Sequence, residues 1–241
     1  MIDIELKNIE EPDFRTDEAY KQLRTNLIFC GDEVKTIVFT SCHENEGKSE
    51  VSFQVARSLA EAGHKVLLLD CDIRKSVLTS RYEVEKKVDG LSDFLAGRAT
   101  LDDILCKTNI PNLLMVFAGT NVPNPADLLA SKRFPPLLEG FRQALNYVII
   151  DCPPLGVVID AAVVAKYADG AVIVIESNTN SYKVVQGVKD QLSKSDCRIL
   201  GAVINKAERQ SKGRYGGYYG DYYGGYGYGK RSEASPSKSN E

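Results

Sequence analysis

Several residue types and sequence patterns are scarce in this chain of 241 residues, and each absence excludes a class of protein. Only His43 and His64 supply imidazole side chains, and the six cysteines lie far apart with no C-x-x-C pair. This spacing argues against a structural zinc site and predicts reduced, partly buried thiols. No uncharged apolar run approaches the roughly 20 residues of a membrane-spanning helix, so we expect no segment to cross a bilayer.

Targeting and nucleic-acid signals are also lacking. Residues 1–5 have neither the basic start nor the apolar stretch of a secretion signal, so we expect the chain to stay in the cytosol. Residues 209–241 carry six cations and three anions, a net charge of +3, which leaves −6 for the rest of the chain. Because that larger part is acidic and its basic residues form no stripe, the sequence argues against nucleic-acid binding.

The composition changes sharply near residue 209. Residues 215–229 consist of seven tyrosines, seven glycines and Asp221, with no aliphatic side chain around which a core could form. We therefore predict one folded domain over residues 1–208 and a disordered, flexible tail over residues 209–241.

Short β-rich apolar runs alternate with longer amphipathic runs in the folded part. This alternation predicts an α/β fold in which a mostly parallel sheet is covered by helices on both faces. Pro123, Pro125, Pro135 and Pro136 predict an irregular linker or a delayed helix start. The predicted strands span residues 35–40, 66–70, 112–118, 147–151, 171–176 and 198–204, and the predicted helices span 17–29, 48–62, 92–106 in two pieces, 131–145, 159–167 and 181–194.

A loop-and-helix motif follows the first predicted strand. Gly47, Lys48 and Ser49 supply the last three fixed positions of the phosphate-loop pattern G-x-x-x-x-G-K-[ST], with Cys42 in place of the first glycine. Such a loop needs backbone N–H groups aimed at phosphate oxygens, a lysine for the β and γ phosphates, and a hydroxyl for Mg²⁺. Taken alone, the same residues also fit an ordinary helix start capped by Ser49 or Asn45.

Two predicted strands end in acidic residues, Asp70 and Asp72 after one and Asp151 after the other. Because the carboxyl ends of parallel strands share the sheet edge where ligands bind, these residues and the loop predict a single Mg-nucleotide site. Two close carboxylates repel unless a cation or a proton lies between them, which suits Mg²⁺ and a hydroxyl to be deprotonated. Taken alone, the first pair also fits an exposed acidic turn paired with Arg74 and Lys75.

With these motifs the sequence resembles the bacterial tyrosine kinases, the cytoplasmic catalytic proteins that accompany capsule and exopolysaccharide export machinery. Residues 47–49 match the family's Walker A motif, residues 70–74 its Walker A′ motif (D-x-D-x-R), and residues 151–153 its Walker B motif (D-x-P). Residues 90–95 and 124–129 also resemble stretches between those motifs. The resemblance implies a P-loop NTPase-like fold, ATP and Mg²⁺ as cofactors, and protein-tyrosine phosphorylation that regulates polysaccharide synthesis and export.

The resemblance also implies roles for individual residues. The expected catalytic residues are Lys48, Asp70, Asp72 and Asp151, with Asp70 as the candidate acceptor of the tyrosine proton, a role that Asp72 could exchange with it. Ser49, Asp72 and Asp151 are expected to hold the metal. Asn205 matches a position where related ATPases contact adenine, although a strand-end cap is the other interpretation. The expected nucleotide contacts are Asn45, Glu46, Gly47, Lys48, Ser49, Glu50 and Asn205.

The tyrosine cluster is, in this family, the target of autophosphorylation. A glycine-rich arm of this length reaches about 5–6 Å times the square root of its length, or roughly 30 Å, so transfer between subunits is feasible. From composition alone, a sticky, condensate-forming tail is the other interpretation. The expected targets are Tyr215, Tyr218, Tyr219, Tyr222, Tyr223, Tyr226 and Tyr228.

Glu18, Lys21 and Arg24 match the family's E-x-x-R-x-x-R pattern, which is associated with ring assembly, except that Lys21 replaces the middle arginine. Lysine keeps the charge but loses the bidentate fork of arginine. We expect these three side chains to point outward from a helix whose core-facing stripe consists of Ala19, Tyr20, Leu23, Leu27 and Ile28. A solvated helix face is the other interpretation of the pattern.

Glu50 is a second departure, because a threonine or serine usually follows the phosphate-loop serine. The carboxylate either opposes phosphate binding or points away, since the helix dipole also favours an acidic first turn. If it opposes binding, the chain is a non-catalytic nucleotide-sensing module. A partitioning or septum-positioning ATPase of the ParA/MinD type is the other alternative, although its usual second lysine is absent at His43.

The resemblance implies partners as well. We expect a homo-oligomer, a transmembrane activator of the polysaccharide co-polymerase type that recruits the protein to the inner face of the membrane, and a protein-tyrosine phosphatase that resets the cluster.

Overall fold

The computed structural model describes residues 1–85 and 88–207, and a mixed sheet runs through this part of the chain. Its strands are β1 (Ile2–Asp3), β2 (Thr36–Ser41), β3 (Val66–Asp70), β4 (Cys106–Lys107), β5 (Leu113–Val116), β6 (Tyr147–Asp151), β7 (Gly170–Glu176) and β8 (Ile199–Asn205). They lie in the order β1-β4-β5-β3-β6-β2-β7-β8, and every pairing is parallel except that of β4 with β5. The predicted mostly parallel α/β sheet is confirmed.

Helices connect the strands, as the alternating pattern predicts. They are α1 (Phe14–Ile28), α2 (Lys48–Glu61), α3 (Leu78–Arg81), α4 (Leu91–Leu95), α5 (Leu101–Ile104), α6 (Pro125–Leu129), α7 (Phe134–Ala144), α8 (Asp160–Ala165) and α9 (Tyr182–Lys194). Four short elements, β1, β4, α3 and α6, have no counterpart among the predicted strands and helices. The linker expected to be irregular contains α6, because a proline at the first helical position lacks only an N–H that would have no partner there.

Alternation along the strands buries both faces of the sheet. In β6, Val148 and Ile150 face the apolar cluster that contains α7, α8 and α9, whereas Ile149 faces the cluster on the other side. That second cluster includes Leu27 of α1 and the apolar stripe of α2, of which Leu59 is fully buried. Burial on both sides is typical of parallel sheets and confirms helices on both faces.

The thiols are reduced and mostly buried, as the spacing of the cysteines predicts. All six cysteines are free thiols, and five of them are buried. Within the described ranges, none of the helices combines the length and the apolar character that a membrane crossing requires.

Candidate active site

A cavity of about 520 Å³ opens at the carboxyl edge of the sheet, where the loop after β2 meets the ends of β3, β6 and β8. Lys48, Ser49, Asp72 and Asn205 line it. An apolar groove of about 630 Å³ beside α7 carries none of the motif residues. The chemistry-bearing side chains therefore converge on the smaller cavity.

The ammonium group of Lys48, the first residue of α2, lies among the aspartates. Its Nζ is 3.1 Å from Asp72 Oδ2 and 3.5 Å from Asp151 Oδ1. Asp70 is in register with Asp151 on the neighbouring strand, and Ser49 Oγ accepts a hydrogen bond of 3.1 Å from the same Nζ. The structure thus gathers the four side chains predicted to be catalytic around one point.

Burial and charge together set the protonation of this cluster. Burial lowers the pKa of Lys48, but the carboxylates of Asp151 and Asp72 outweigh burial, and the pKa is raised overall. Burial raises the pKa of Asp70, and the negative charge of Asp151 adds to that effect. Burial also raises the pKa of Asp151, although Lys48 opposes the shift. One ammonium group therefore does not satisfy three buried carboxyl groups, so further positive charge is favoured here.

Asp70 and Asp72 differ in their access to the cavity. Asp70 is fully buried, and its carboxylate accepts hydrogen bonds from the backbone N–H of Asp72 at 3.0 Å and from the Ser76 hydroxyl. Asp72 lines the cavity and contacts Lys48. The interpretation as an exposed acidic turn is wrong, because both carboxylates are buried.

The basic residues of that turn have partners elsewhere. The Arg74 guanidinium forms a bidentate pair with the buried Asp160 at the start of α8, with an Nη2–Oδ1 distance of 2.9 Å. The Lys75 ammonium contacts Glu44 at 2.9 Å. Arg74 therefore ties the segment after β3, which carries Asp72, to the start of α8 after β6, the strand that ends at Asp151.

The phosphate loop has the backbone shape that brings N–H groups together. Asn45 has φ of +64° and Gly47 has φ of +87°, both in the left-handed region. A side chain at position 47 would be strained there, and its Cβ would lie 2.1 Å from Asn205 Nδ2. A turn in which left-handed residues alternate with others brings backbone N–H groups together in a concavity that suits an anion.

The end of β7 and the segment after it help to hold this loop in place. The buried carboxylate of Glu46 accepts hydrogen bonds from the backbone N–H groups of His43 at 2.7 Å and Glu176 at 3.2 Å, and from the Asn180 amide. Because its carboxylate is occupied in this way, Glu46 offers a phosphate only its backbone.

The end of β8 contacts the same loop. Asn205 Nδ2 donates to the Glu46 carbonyl oxygen at 2.9 Å, and Lys206 Nζ donates to the Asn45 carbonyl oxygen at 2.5 Å. Sequence reasoning missed Glu176, Asn180 and Lys206, because no motif marks them and only the fold brings them to the loop.

Glu50, the third residue of α2, has its carboxylate engaged by two side chains. Oε1 accepts a hydrogen bond of 2.8 Å from Gln54, and Oε2 pairs with the Arg81 guanidinium of α3. Glu50 and Arg81 both line the cavity.

Ser49, Asp72 and Asp151 fit a magnesium ion. Oδ1 of Asp151 is buried and accepts no hydrogen bond from the residues that the structure describes, and its one ion pair there is the 3.5 Å contact with Lys48, so it retains capacity for a metal ion. Within those residues, no group of three or more His, Cys, Asp or Glu side chains forms a complete metal cage. Nucleotide-bound Mg²⁺ needs no such cage, since it usually takes one or two carboxylates together with water and phosphate oxygens.

The residues of the predicted assembly pattern lie on α1, and one of them is oriented differently from the prediction. Lys21 Nζ lies 2.8 Å from both Asp17 and Glu18 on the exposed side of the helix. Arg24, expected to point outward, instead donates from Nη1 to the Ser58 carbonyl oxygen of α2 at 2.9 Å. Ala19, expected in the core-facing stripe, is exposed. The predicted tyrosine targets from Tyr215 to Tyr228 lie outside the described residues.

Comparisons with known proteins agree with this geometry. A family model described as an AAA domain matches residues 34–198. The tyrosine-protein kinase CpsD of Streptococcus agalactiae is 40% identical over 202 residues, which cover 84% of this chain and 88% of that protein. The kinase domain of the Escherichia coli tyrosine kinase ETK has a TM-score of 0.74 and 30% identity, covering 83% of this chain and 80% of that one.

The septum site-determining protein MinD of Pyrococcus horikoshii, complexed with Mg-ADP, is a more distant match. It has a TM-score of 0.64 and 24% identity, and the match covers 74% of this chain and 72% of that one. At this identity the similarity shows the fold alone.

Proposed function

This chain belongs to the bacterial tyrosine-protein kinases, and we propose that it transfers the γ-phosphoryl group of ATP to the tyrosine cluster of its own C-terminal segment. As a member of that family it is a protein-tyrosine kinase with a P-loop fold that binds ATP. The observation that carries the proposal is the convergence of Lys48, Asp72 and Asp151 on the phosphate loop.

We propose that binding of ATP moves the Lys48 ammonium from the aspartates toward the β and γ phosphates. Phosphoryl transfer needs positioning and charge neutralisation more than covalent chemistry. The backbone N–H groups of residues 45–50 would cradle the phosphates, held in shape by Glu46 and Asn205. We also propose that Asn205 contacts the adenine ring of the bound nucleotide.

Ser49, Asp72 and Asp151 would hold Mg²⁺. The bound ion supplies positive charge that neutralises the β- and γ-phosphoryl oxygens. The raised pKa values of Asp70 and Asp151 support this assignment, because a cation relieves the repulsion between buried carboxylates.

Asp70 is the proposed acceptor of the tyrosine proton. A base with a raised pKa is better matched to proton transfer near neutral pH. The Ser76 hydroxyl donates to its Oδ2, and we propose that the substrate phenol takes the place of this hydroxyl as donor. Asp72 is the competing candidate, because it lines the cavity.

Paired variants distinguish the two aspartates. Asp70→Asn should lower kcat at saturating Mg²⁺ without changing the Mg²⁺ concentration that gives half-maximal rate. Asp72→Asn should raise that Mg²⁺ concentration. The reverse pattern would exchange the two roles.

The central experiment is incubation of the full chain with Mg²⁺ and ATP labelled at the γ phosphate, followed by mapping of modified tyrosines. We expect label on residues 215–228 and none in the Lys48→Met variant. A variant in which all seven tyrosines of the cluster are phenylalanine serves as the matched control, because its nucleotide site is unchanged. Hydrolysis of ATP without tyrosine labelling would refute the proposal and indicate a partitioning-type ATPase.

Mixing two variants tests transfer between subunits. The Lys48→Met variant keeps its tyrosines but cannot transfer phosphate, whereas the seven-phenylalanine variant transfers but has no cluster. We expect label on the Lys48→Met protein in the mixture, at a rate that rises with total concentration. Absence of label there, with self-labelling of the parent, would mean that transfer stays within one chain.

We also propose that the chain forms a homo-oligomer through α1, with Glu18 and Lys21 on the contact surface and Arg24 holding α1 against α2. A transmembrane activator of the co-polymerase type would recruit it to the membrane's inner face, and a phosphatase would reset the cluster. Each phosphate adds about −1.5 to −2 charges, so phosphorylation should reverse the tail's charge of +3 and loosen the oligomer. Sedimentation of dephosphorylated and phosphorylated protein tests this, and equal particle masses would contradict it.

A further inference from the structure

Glu50 lies where a negative charge is least expected in a nucleotide site. It is the third residue of α2, directly after Ser49, at the helix end whose N–H groups and dipole attract phosphate. A free carboxylate there would compete with the phosphates for the same N–H groups and repel them. The sequence alone leaves open whether the carboxylate opposes phosphate binding or points away.

Two side chains bind the Glu50 carboxylate, so that it does not compete with the phosphates for the N–H groups of α2. Gln54, one turn further along α2, donates to Oε1 at 2.8 Å, and Arg81 pairs with Oε2 from the separate helix α3. Arg81 brings a full positive charge, so the pair is neutral overall, whereas Gln54 only orients the carboxylate.

The pair also forms a wall between two cavities. Glu50 and Arg81 line the 520 Å³ cavity of the phosphate loop, and both also line a cavity of about 900 Å³ toward α1 and residues 8–13. Tyr20 of α1 lies on that second side, where burial and the charge of Glu50 raise its pKa to about 12. The carboxylate therefore acts electrostatically on the α1 side.

We infer that Arg81 is a positioning residue for nucleotide binding, which holds the Glu50 carboxylate against the wall of the cavity and cancels its charge. The inference rests on the proposed function in one respect, that the nucleotide phosphates occupy the loop at residues 45–50. Arg81 acts through Glu50 and not by touching the nucleotide. The two side chains are 41% and 34% exposed, so the pair adds little to folding stability, and its effect falls on ligand affinity.

A double-mutant cycle tests this inference on the full chain. The parent, Arg81→Gln, Glu50→Gln and the double variant are titrated calorimetrically with ADP in Mg²⁺, and KM for ATP and kcat are measured on the same samples. Arg198→Gln is the matched control, because Arg198 forms an exposed ion pair with Glu33 at the opposite edge of the sheet. Circular dichroism melts verify folding of each variant.

Arg81→Gln should weaken Mg-ADP binding and raise KM for ATP by about 5- to 30-fold, with kcat within about twofold of the parent. The double variant should return to within about threefold of the parent. Glu50→Gln alone should bind as tightly as the parent or more tightly. The difference in Mg-ADP affinity between Arg81→Gln and the parent should become smaller at high salt, because the uncompensated charge of Glu50 is partly exposed.

Three results would overturn the inference. Unchanged affinity in Arg81→Gln would show that Glu50 needs no compensation, and a double variant as weak as Arg81→Gln would show that Arg81 contacts the nucleotide itself. If Arg81→Gln does not fold, weaker binding in Glu50→Gln than in the parent would contradict the inference. Failure of the parent to bind Mg-ADP would instead refute the proposed function.

Discussion

Removal of the Lys48 ammonium group should separate its structural role from its catalytic role. The side chain is only 11% exposed and lies 3.1 Å and 3.5 Å from the carboxylates of Asp72 and Asp151. Lys48→Met leaves three buried carboxyl groups without a counter-charge. Breaking a buried pair in this way costs about 3–5 kcal/mol when the remaining charge stays ionised.

The carboxyl groups can reduce that cost by taking up protons, which makes the cost depend on pH. Asp70 and Asp151 already have raised pKa values in the parent, and loss of Lys48 raises them further. A carboxyl group with a higher pKa in the folded state than in the unfolded state binds more protons when folded, so stability falls as pH rises. The folding stability of Lys48→Met should therefore be close to that of the parent near pH 5 and clearly lower near pH 8.

Thermal unfolding without nucleotide measures this difference. A loss of roughly 2–3 kcal/mol near pH 8 corresponds to a fall in Tm of about 4–12 °C for a domain of this size. Lys189→Met is the matched control, because Lys189 is exposed on α9. Adding Asp72→Asn to Lys48→Met should reverse about half of the fall in Tm but should restore none of the tyrosine labelling. Equal Tm values for variant and parent at pH 8, or labelling by the double variant, would refute the reasoning.

Three further variants test other parts of the site. Asp70→Asn should raise the Tm of the nucleotide-free protein by a few degrees near pH 8 and leave it unchanged near pH 5, because it removes a carboxylate with a raised pKa; a rise at both pH values would contradict this. Glu46→Gln should cost about 1–3 kcal/mol in urea unfolding and weaken Mg-ADP binding, since an amide cannot accept from all three donors; unchanged affinity would argue against its support of the loop. Arg24→Met should cost about 1 kcal/mol through its lost bonds to Ser58, whereas Glu18→Gln should cost less than about 0.5 kcal/mol, and equal losses in urea unfolding would contradict this difference.

The sequence alone predicts the fold and the proximity of the motif residues well, because both follow from local patterns. The runs at 66–70 and 147–151 have the observed strand bounds, since four apolar residues followed by aspartate mark a buried strand and its end. Gly47, Lys48 and Ser49 lie between a strand and a helix as predicted. In the structure β3 pairs in parallel with β6, and this pairing brings Asp70 beside Asp151.

Features that depend on contacts between distant segments could not be predicted from the sequence. Strand β1 has two residues and pairs with β4, so neither has enough length to show a period. Arg24 has the spacing of an outward-facing residue, yet its long side chain bends to a carbonyl oxygen of α2. The sequence alone does not show that the Glu50 carboxylate is neutralised. Its partner Arg81 lies thirty-one positions away, in a helix of four residues that no sequence pattern predicts.

The anchoring of the phosphate loop by the last strands has a consequence for protein synthesis. The loop is made early in translation, but its anchors at Glu176, Asn180, Asn205 and Lys206 are made late. A nascent chain that still holds β8 inside the ribosome lacks two of these four anchors, Asn205 and Lys206. We therefore expect a chain that ends before β8 to bind nucleotide more weakly than the full chain.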